Sequence, residues 1–140
     1  GQAPPRAGHT AFWDALSGRL LVVGGTPGGD LSSLDPATGQ WTTLVSSPLL
    51  DSADGVAFFD PDSRHILVLS GTDGQPLLLR LGDGTAIATV PVLAPPPGIP
   101  GAFAGFDPFG RQALLFGGQL PDGKLSSALQ VLPEVCPTLP

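Results

Sequence analysis

Two histidines, His9 and His65, one cysteine, Cys136, and twelve carboxylates are the side chains of this 140-residue chain that could move protons, attack a substrate or hold a metal. The histidines lie far apart with no third ligand converging on either, so a zinc-type site is not indicated. Asp14, Asp60 and Asp107 recur at intervals of 46 and 47 residues. Paired carboxylates can divide acid and base roles, but an active site is normally built once. A thrice-repeated aspartate at a turn reads as architecture, its oxygens accepting N–H groups of its own turn. Each has an arginine close behind it, and the sequence pairs Asp14 with Arg19, Asp60 with Arg64 and Asp107 with Arg111 across the same turn. Asp51-Ser52-Ala53-Asp54 and Asp83-Gly84 offer oxygens but not the Asp-x-Asp-x-Asp-Gly spacing that seats calcium. Gly24-Gly25-Thr26-Pro27-Gly28-Gly29 lacks the Gly-Lys-Ser/Thr ending of a phosphate loop. No catalytic, cofactor-binding or metal-binding residue is assigned, and the sequence points away from an enzyme.

Composition narrows the partners. A net charge of -6, with Lys124 the only lysine, does not suit a phosphate backbone, so no nucleic acid is expected. The apolar runs are a few residues long, far short of the ~20 that span a bilayer, so no membrane insertion is expected either. Tyrosine is absent, which excludes a tyrosine nucleophile or radical within this chain. Gly (20) and Pro (17) make up about a quarter of the residues, yet 41% of the chain is hydrophobic, so it has enough to bury and reads as short strands joined by tight turns.

The elements that position these residues repeat. Phe12-Trp13-Asp14, Phe58-Phe59-Asp60 and Gly105-Phe106-Asp107 each lead through a short turn into an apolar run closing on glycine: Leu20–Gly25, Ile66–Gly71 and Ala113–Gly118. The closing glycines, Gly25, Gly71 and Gly118, step by the same 46 and 47 residues as the aspartates. Leu31, Leu78 and Leu125, each 47 apart, supply a third landmark. The unit reads as four strands. The first is Thr10–Trp13, Gly55–Phe59 and Ala102–Phe106; the second is Leu20–Val23, Ile66–Leu69 and Gln112–Phe116. The third is Leu31–Leu34, Leu77–Leu81 and Leu125–Leu132; the fourth is Gln40–Val45 and Thr85–Val92. In the last unit no fourth strand is visible, because Pro133, Pro137 and Pro140 crowd the tail. The expected units are 1–50, 51–97 and 98–140, with Ala94-Pro95-Pro96-Pro97-Gly98 as the clearest linker.

A repeated four-stranded unit of this length marks a β-propeller blade. The residues resemble the kelch family: Arg6-Ala7-Gly8-His9, then Gly24-Gly25, then Trp41. The likeness weakens in the later units, which have Ser70-Gly71 and Gly117-Gly118 and no tryptophan. It implies an all-β fold of four-stranded antiparallel blades, with Arg6, His9, Gly24, Gly25, Trp41, Gly71, Gly117 and Gly118 in structural roles. The glycines are expected where neighbouring blades and a central channel leave no room for a Cβ. WD repeats fit less well, since Trp13-Asp14 sits in the first hairpin. Quinone-type propellers match only through Asp35–Trp41. The sialidase Asp-box has its residue types in Ser33–Trp41 at the wrong spacing.

Closed propellers contain about four to eight blades, so three leave two bare faces. Either a longer chain supplies the remaining blades, or a homo-oligomer does, two copies closing a six-bladed ring. The absence of methionine favours a piece of a longer chain. The function expected is a non-catalytic kelch-type segment serving as a protein–protein interaction or structural scaffold; a secreted carbohydrate-binding or carbohydrate-active propeller is the alternative. The loops after the second strands, with Thr26, Pro27, Asp30, Thr72, Asp73, Gln75, Gln119, Asp122 and Lys124, are the expected contact surface for a protein partner. Their acidity suits a neutral or basic one. Cys136 either pairs with a cysteine outside this stretch, as in extracellular kelch proteins, or stays a lone thiol; an extracellular or secreted location is expected over a cytoplasmic one.

Overall fold

The computed structural model describes residues 5–51, 55–69, 76–82, 86–89 and 100–133. Apart from one 3-10 turn at Pro48–Leu50, the regular structure there is all β. Three antiparallel sheets follow one another along the chain. The first comprises β1 (Ala7–Asp14), β2 (Arg19–Thr26), β3 (Asp30–Asp35) and β4 (Gln40–Ser46). The second comprises β5 (Val56–Asp60), β6 (His65–Leu69), β7 (Leu77–Arg80) and β8 (Ala86–Thr89). The third has three strands, β9 (Ala102–Asp107), β10 (Gln112–Gly117) and β11 (Leu129–Pro133). In each sheet the strands lie side by side in chain order, as short hairpin connections require.

The sheets stack through side chains that alternate across each strand. Leu21, Val23 and Leu31 of the first sheet meet Ala57, Phe59, Ile66 and Leu79 of the second. The Phe12 and Phe59 rings cross this interface with centroids 5.8 Å apart. The opposite face of the second sheet packs Val56, Phe58 and Leu69 against Ala113 and Leu115 of the third. The middle sheet is thus buried on both faces. Both alternating sets of side chains in Val56-Ala57-Phe58-Phe59 and Ile66-Leu67-Val68-Leu69 are thereby largely taken out of water. Each large side chain so enclosed contributes about 1.5–3 kcal/mol.

Register corrects two parts of the sequence reading. The third landmark does not hold: Leu31 lies opposite Val23, Leu78 lies opposite Leu67, and Leu125 is outside β11, making only an isolated bridge to Gln119. The connection from β10 to β11 is longer than its counterpart in the first sheet, so the third strand begins at Leu129 and not at Leu125. The arginines are also out of step. Asp14, Asp60 and Asp107 face Arg19, His65 and Gln112 in register. The residue just before each of these is Gly18, Arg64 and Arg111, all with left-handed backbone (φ 64°, 57° and 49°). Arg64 and Arg111 therefore correspond to Gly18 and not to Arg19.

Candidate functional site

Each repeated aspartate closes its own turn. Asp14 accepts hydrogen bonds from the Leu16 N–H (3.2 Å) and Ser17 Oγ (2.5 Å). Asp60 repeats this with the Asp62 N–H (3.0 Å) and Ser63 Oγ (2.5 Å), and Asp107 takes the Phe109 N–H at 3.0 Å. The Asx-turn reading is correct, but the ion-pair reading is not. Arg64 reaches back from the second sheet and donates to both oxygens of Asp14, at 2.9 and 2.8 Å. Arg111 of the third sheet likewise donates to Asp60 at 2.9 Å. The pairs tie each sheet to the one before it. Arg19 lies instead 3.7 Å from Asp35 of its own sheet. The left-handed turn position is what aims Arg64 and Arg111 across the gap, and residue type alone did not carry that signal.

The electrostatics follow from these contacts. The Arg64 guanidinium, outweighing burial, holds the Asp14 carboxyl at about 2. Burial pushes Asp60 up, but the hydrogen bonds from Ser63 and the turn N–H groups, with the charge of Arg111, bring it below the usual carboxylate range. Asp107 is lowered by the Gly110 and Phe109 N–H groups, with help from Gln112. Among the described residues no arginine pairs with it.

The structural-motif residues form a second knot. Arg6 donates to the Gly24 carbonyl at 3.2 Å and pairs with Asp30 at 2.6 Å, its side chain 5% exposed. Asp30 also accepts from Ser32 Oγ, so it is committed within its own sheet rather than presented to a partner. Burial raises Asp30, and the Arg6 and Ser32 hydrogen bonds reverse that to a net lowering. Gly24 and Gly25, like Gly117 and Gly118, have positive φ. A Cβ on Gly25 would stand 2.9 Å from the Ala7 carbonyl oxygen, so the crowding comes from its own sheet and not from a neighbouring one. His9 is exposed opposite Gly24. Trp41 is partly exposed opposite Leu34.

Of the loop residues, Thr26, Pro27, Gln119, Asp122 and Lys124 are exposed. Asp122 caps its own turn through the Lys124 N–H at 3.0 Å. Gly71, Thr72, Asp73, Gln75, the linker 94–98, Asp54, Asp83 and Cys136 lie outside the described residues.

Among the described residues, two sizeable clefts open between sheets. One, about 310 Å³, lies among the first strands and is lined by Phe12, Trp13, Phe58 and Phe106 with Thr10, with no titratable group among the described residues that line it. The other, about 470 Å³, opens beside the Asp14–Arg64 pair, with Arg19, Ser33 and Thr42 on its walls. Among the described residues its one carboxylate, Asp14, is already engaged by Arg64 and Ser17. Among the described residues no three His, Cys, Asp or Glu side chains converge as metal ligands, and no helix is long and apolar enough to cross a membrane.

Among the described residues, four exposed apolar side chains, Phe103, Phe116, Leu129 and Val131, share the outer face of the third sheet. Phe103, Phe116 and Leu129 form one cross-strand row, and Gly105, Leu114 and Val131 the next. Phe103 is 67% exposed and Phe116 and Val131 50% each. No family model matches the chain, and no curated protein matches it.

Proposed function

We propose that the chain is a non-catalytic segment of a kelch-type β-propeller, a scaffold whose loops and terminal sheet faces make protein–protein contacts within a larger chain or assembly. The observation that carries this reading is the serial stacking of like sheets through like Asp–Arg pairs, ending on an apolar outer face. Four-stranded units joined face to face by repeated contacts are the building plan of a propeller. An exposed face with two phenylalanines, leucine and valine is a surface that soluble proteins normally cover. The first strands of successive sheets also pack on one another, β1 on β5 and β5 on β9, as converging inner strands would.

Light scattering on a sizing column tests the reading. The isolated chain should self-associate as its concentration rises, and Phe116→Asp should suppress this while leaving the circular dichroism spectrum unchanged. A chain that stays strictly monomeric with its outer face bare, and is indifferent to Phe116→Asp, overturns the reading. Titration with oligosaccharides, read by Trp13 fluorescence beside the aromatic cleft, separates the carbohydrate-binding alternative.

A further inference from the structure

Asp107 and the outer face of the third sheet repeat, uncovered, a surface that is covered elsewhere in the molecule. In register, Phe103 and Phe116 correspond to Val56 and Leu69 of the middle sheet, and Asp107 to Asp60. Val56 and Leu69 are 6% and 3% exposed beneath the next sheet, whereas Phe103 and Phe116 are 67% and 50% exposed. Asp14 and Asp60 each take an arginine from the next sheet, while among the described residues Asp107 takes only turn N–H groups and the Gln112 side-chain amide at 3.3 Å. Apolar rows and a turn-closing carboxylate stand in the same relative positions in both sheets.

We infer that Asp107 and the outer face of β9–β10–β11 dock one further unit of the same kind, one that carries an arginine at the left-handed position of its first turn. The inference rests on the propeller reading and names the chemistry of the next contact. The occupant is not an unaltered second copy docking by its first sheet, because the corresponding position there is Gly18, which has no cation to offer. Arg19 does not substitute for it: it follows Gly18 in the chain, lies within β2 and faces Asp35. The charge that recognises Asp107 must come from an arginine held as Arg64 and Arg111 are held. A bidentate guanidinium–carboxylate pair then fixes the register of the apolar faces.

The test supplies the missing arginine. Gly18→Arg in the full chain is open to substitution, since nothing lies within 4 Å of an added Cβ and Arg64 and Arg111 adopt the same backbone. A second variant copies the turn of the middle sheet outright: Ala15→Pro, Leu16→Asp and Gly18→Arg, Ser17 already matching Ser63. By sedimentation equilibrium, either variant should self-associate at least about tenfold more tightly than the unaltered chain, equivalent to about 1.4 kcal/mol. Adding Asp107→Asn should abolish the gain. In the unaltered chain Asp107→Asn should change nothing. Unchanged association in both turn variants, or a gain that survives Asp107→Asn, overturns the inference. If the inference fails in this way but Phe116→Asp still suppresses association of the unaltered chain, the propeller reading stands without it; if Phe116→Asp is also silent, both fall.

Discussion

The Arg64 guanidinium grips the Asp14 carboxylate of the preceding sheet through two hydrogen bonds, at 2.9 and 2.8 Å, although the two residues are 50 positions apart. Asp14 is 2% exposed, so the charge it carries is desolvated and depends on this partner. One unit later Arg111 makes the corresponding reach, donating to Asp60 Oδ2 at 2.9 Å and to Asp62 at 3.4 Å. The Asp14–Arg64 pair joins what hydrophobic stacking alone would leave free to slide, because apolar faces are non-directional and a bidentate pair is not.

Removing the guanidinium should therefore cost more than a surface pair would. Arg64→Leu leaves Asp14 buried with only Ser17 and the Leu16 N–H. The expected loss is about 3 kcal/mol in urea unfolding, at the low end for a broken buried pair because Arg64 itself is partly exposed. Arg64→Lys should recover less than half of it, since one ammonium cannot reproduce the fork. In a cycle with Asp14→Asn the double variant should be more stable than the sum of the single losses predicts.

The same pair sets an acid limb. Asp14 titrates at about 2 in the folded chain against an ordinary 3.8. Its folded value is depressed, so its contribution is present in full above pH 4 and is lost as pH falls from about 4 through 2. A shift of this size corresponds to about 2 kcal/mol. Unfolding free energy measured across pH 5 to 2 should fall by about that much more in the unaltered chain than in Asp14→Asn.

The strands and the repeat were legible in the sequence because period, turn residues and apolar runs are local signals. The burial of the middle sheet on both faces was not legible in the second-strand runs, because Leu20–Val23 and Ala113–Phe116, in sheets with an outer face, are as unbroken as Ile66–Leu69. The partnership of Arg64 with Asp14 was not legible. It depends on which residue of the turn takes the left-handed conformation, and Arg19, adjacent to that position in the first unit, imitates the pattern by type. Leu125 misled for a related reason: equal spacing in sequence does not survive a longer connection between strands. That Arg6 commits Asp30 to its own sheet likewise needed the fold, since it depends on β1, β2 and β3 lying side by side.

Two glycines with similar backbone should respond differently to alanine. At Gly39, φ is 69° and nothing stands within 4 Å of an added Cβ. Gly39→Ala should cost only the left-handed penalty, about 1 kcal/mol. At Gly25, φ is 88° and the new Cβ would stand 2.9 Å from the Ala7 carbonyl oxygen and 3.1 Å from the His9 Cβ. Backbone cannot yield there without unpairing β1 from β2, so Gly25→Ala should cost about 2–5 kcal/mol, strain and overpacking together. Urea midpoints of the two variants compared side by side check this, and equal losses would mean that the Gly25 approach is not tight.

His65 gives the fold a second, gentler dependence on pH. Its Nδ1 is buried and has no hydrogen-bond partner among the described residues. Burial holds the imidazole below its ordinary 6.5, the Arg80 guanidinium adds to this, and the Asp60 carboxylate opposes both. The folded chain thus resists a proton that the unfolded chain accepts. Stability should be greatest above pH 6.5 and should decline as pH falls below it, levelling only beneath the folded value. His65→Gln keeps a polar side chain at this position in β6 but cannot titrate, so its unfolding free energy should be flat between pH 7 and 5. Over that interval the aspartates contribute little slope, because the shifted ones, Asp14, Asp30, Asp60 and Asp107, are all lowered from 3.8. A decline in the unaltered chain that persists undiminished in His65→Gln would assign it to another group and remove His65 from the account.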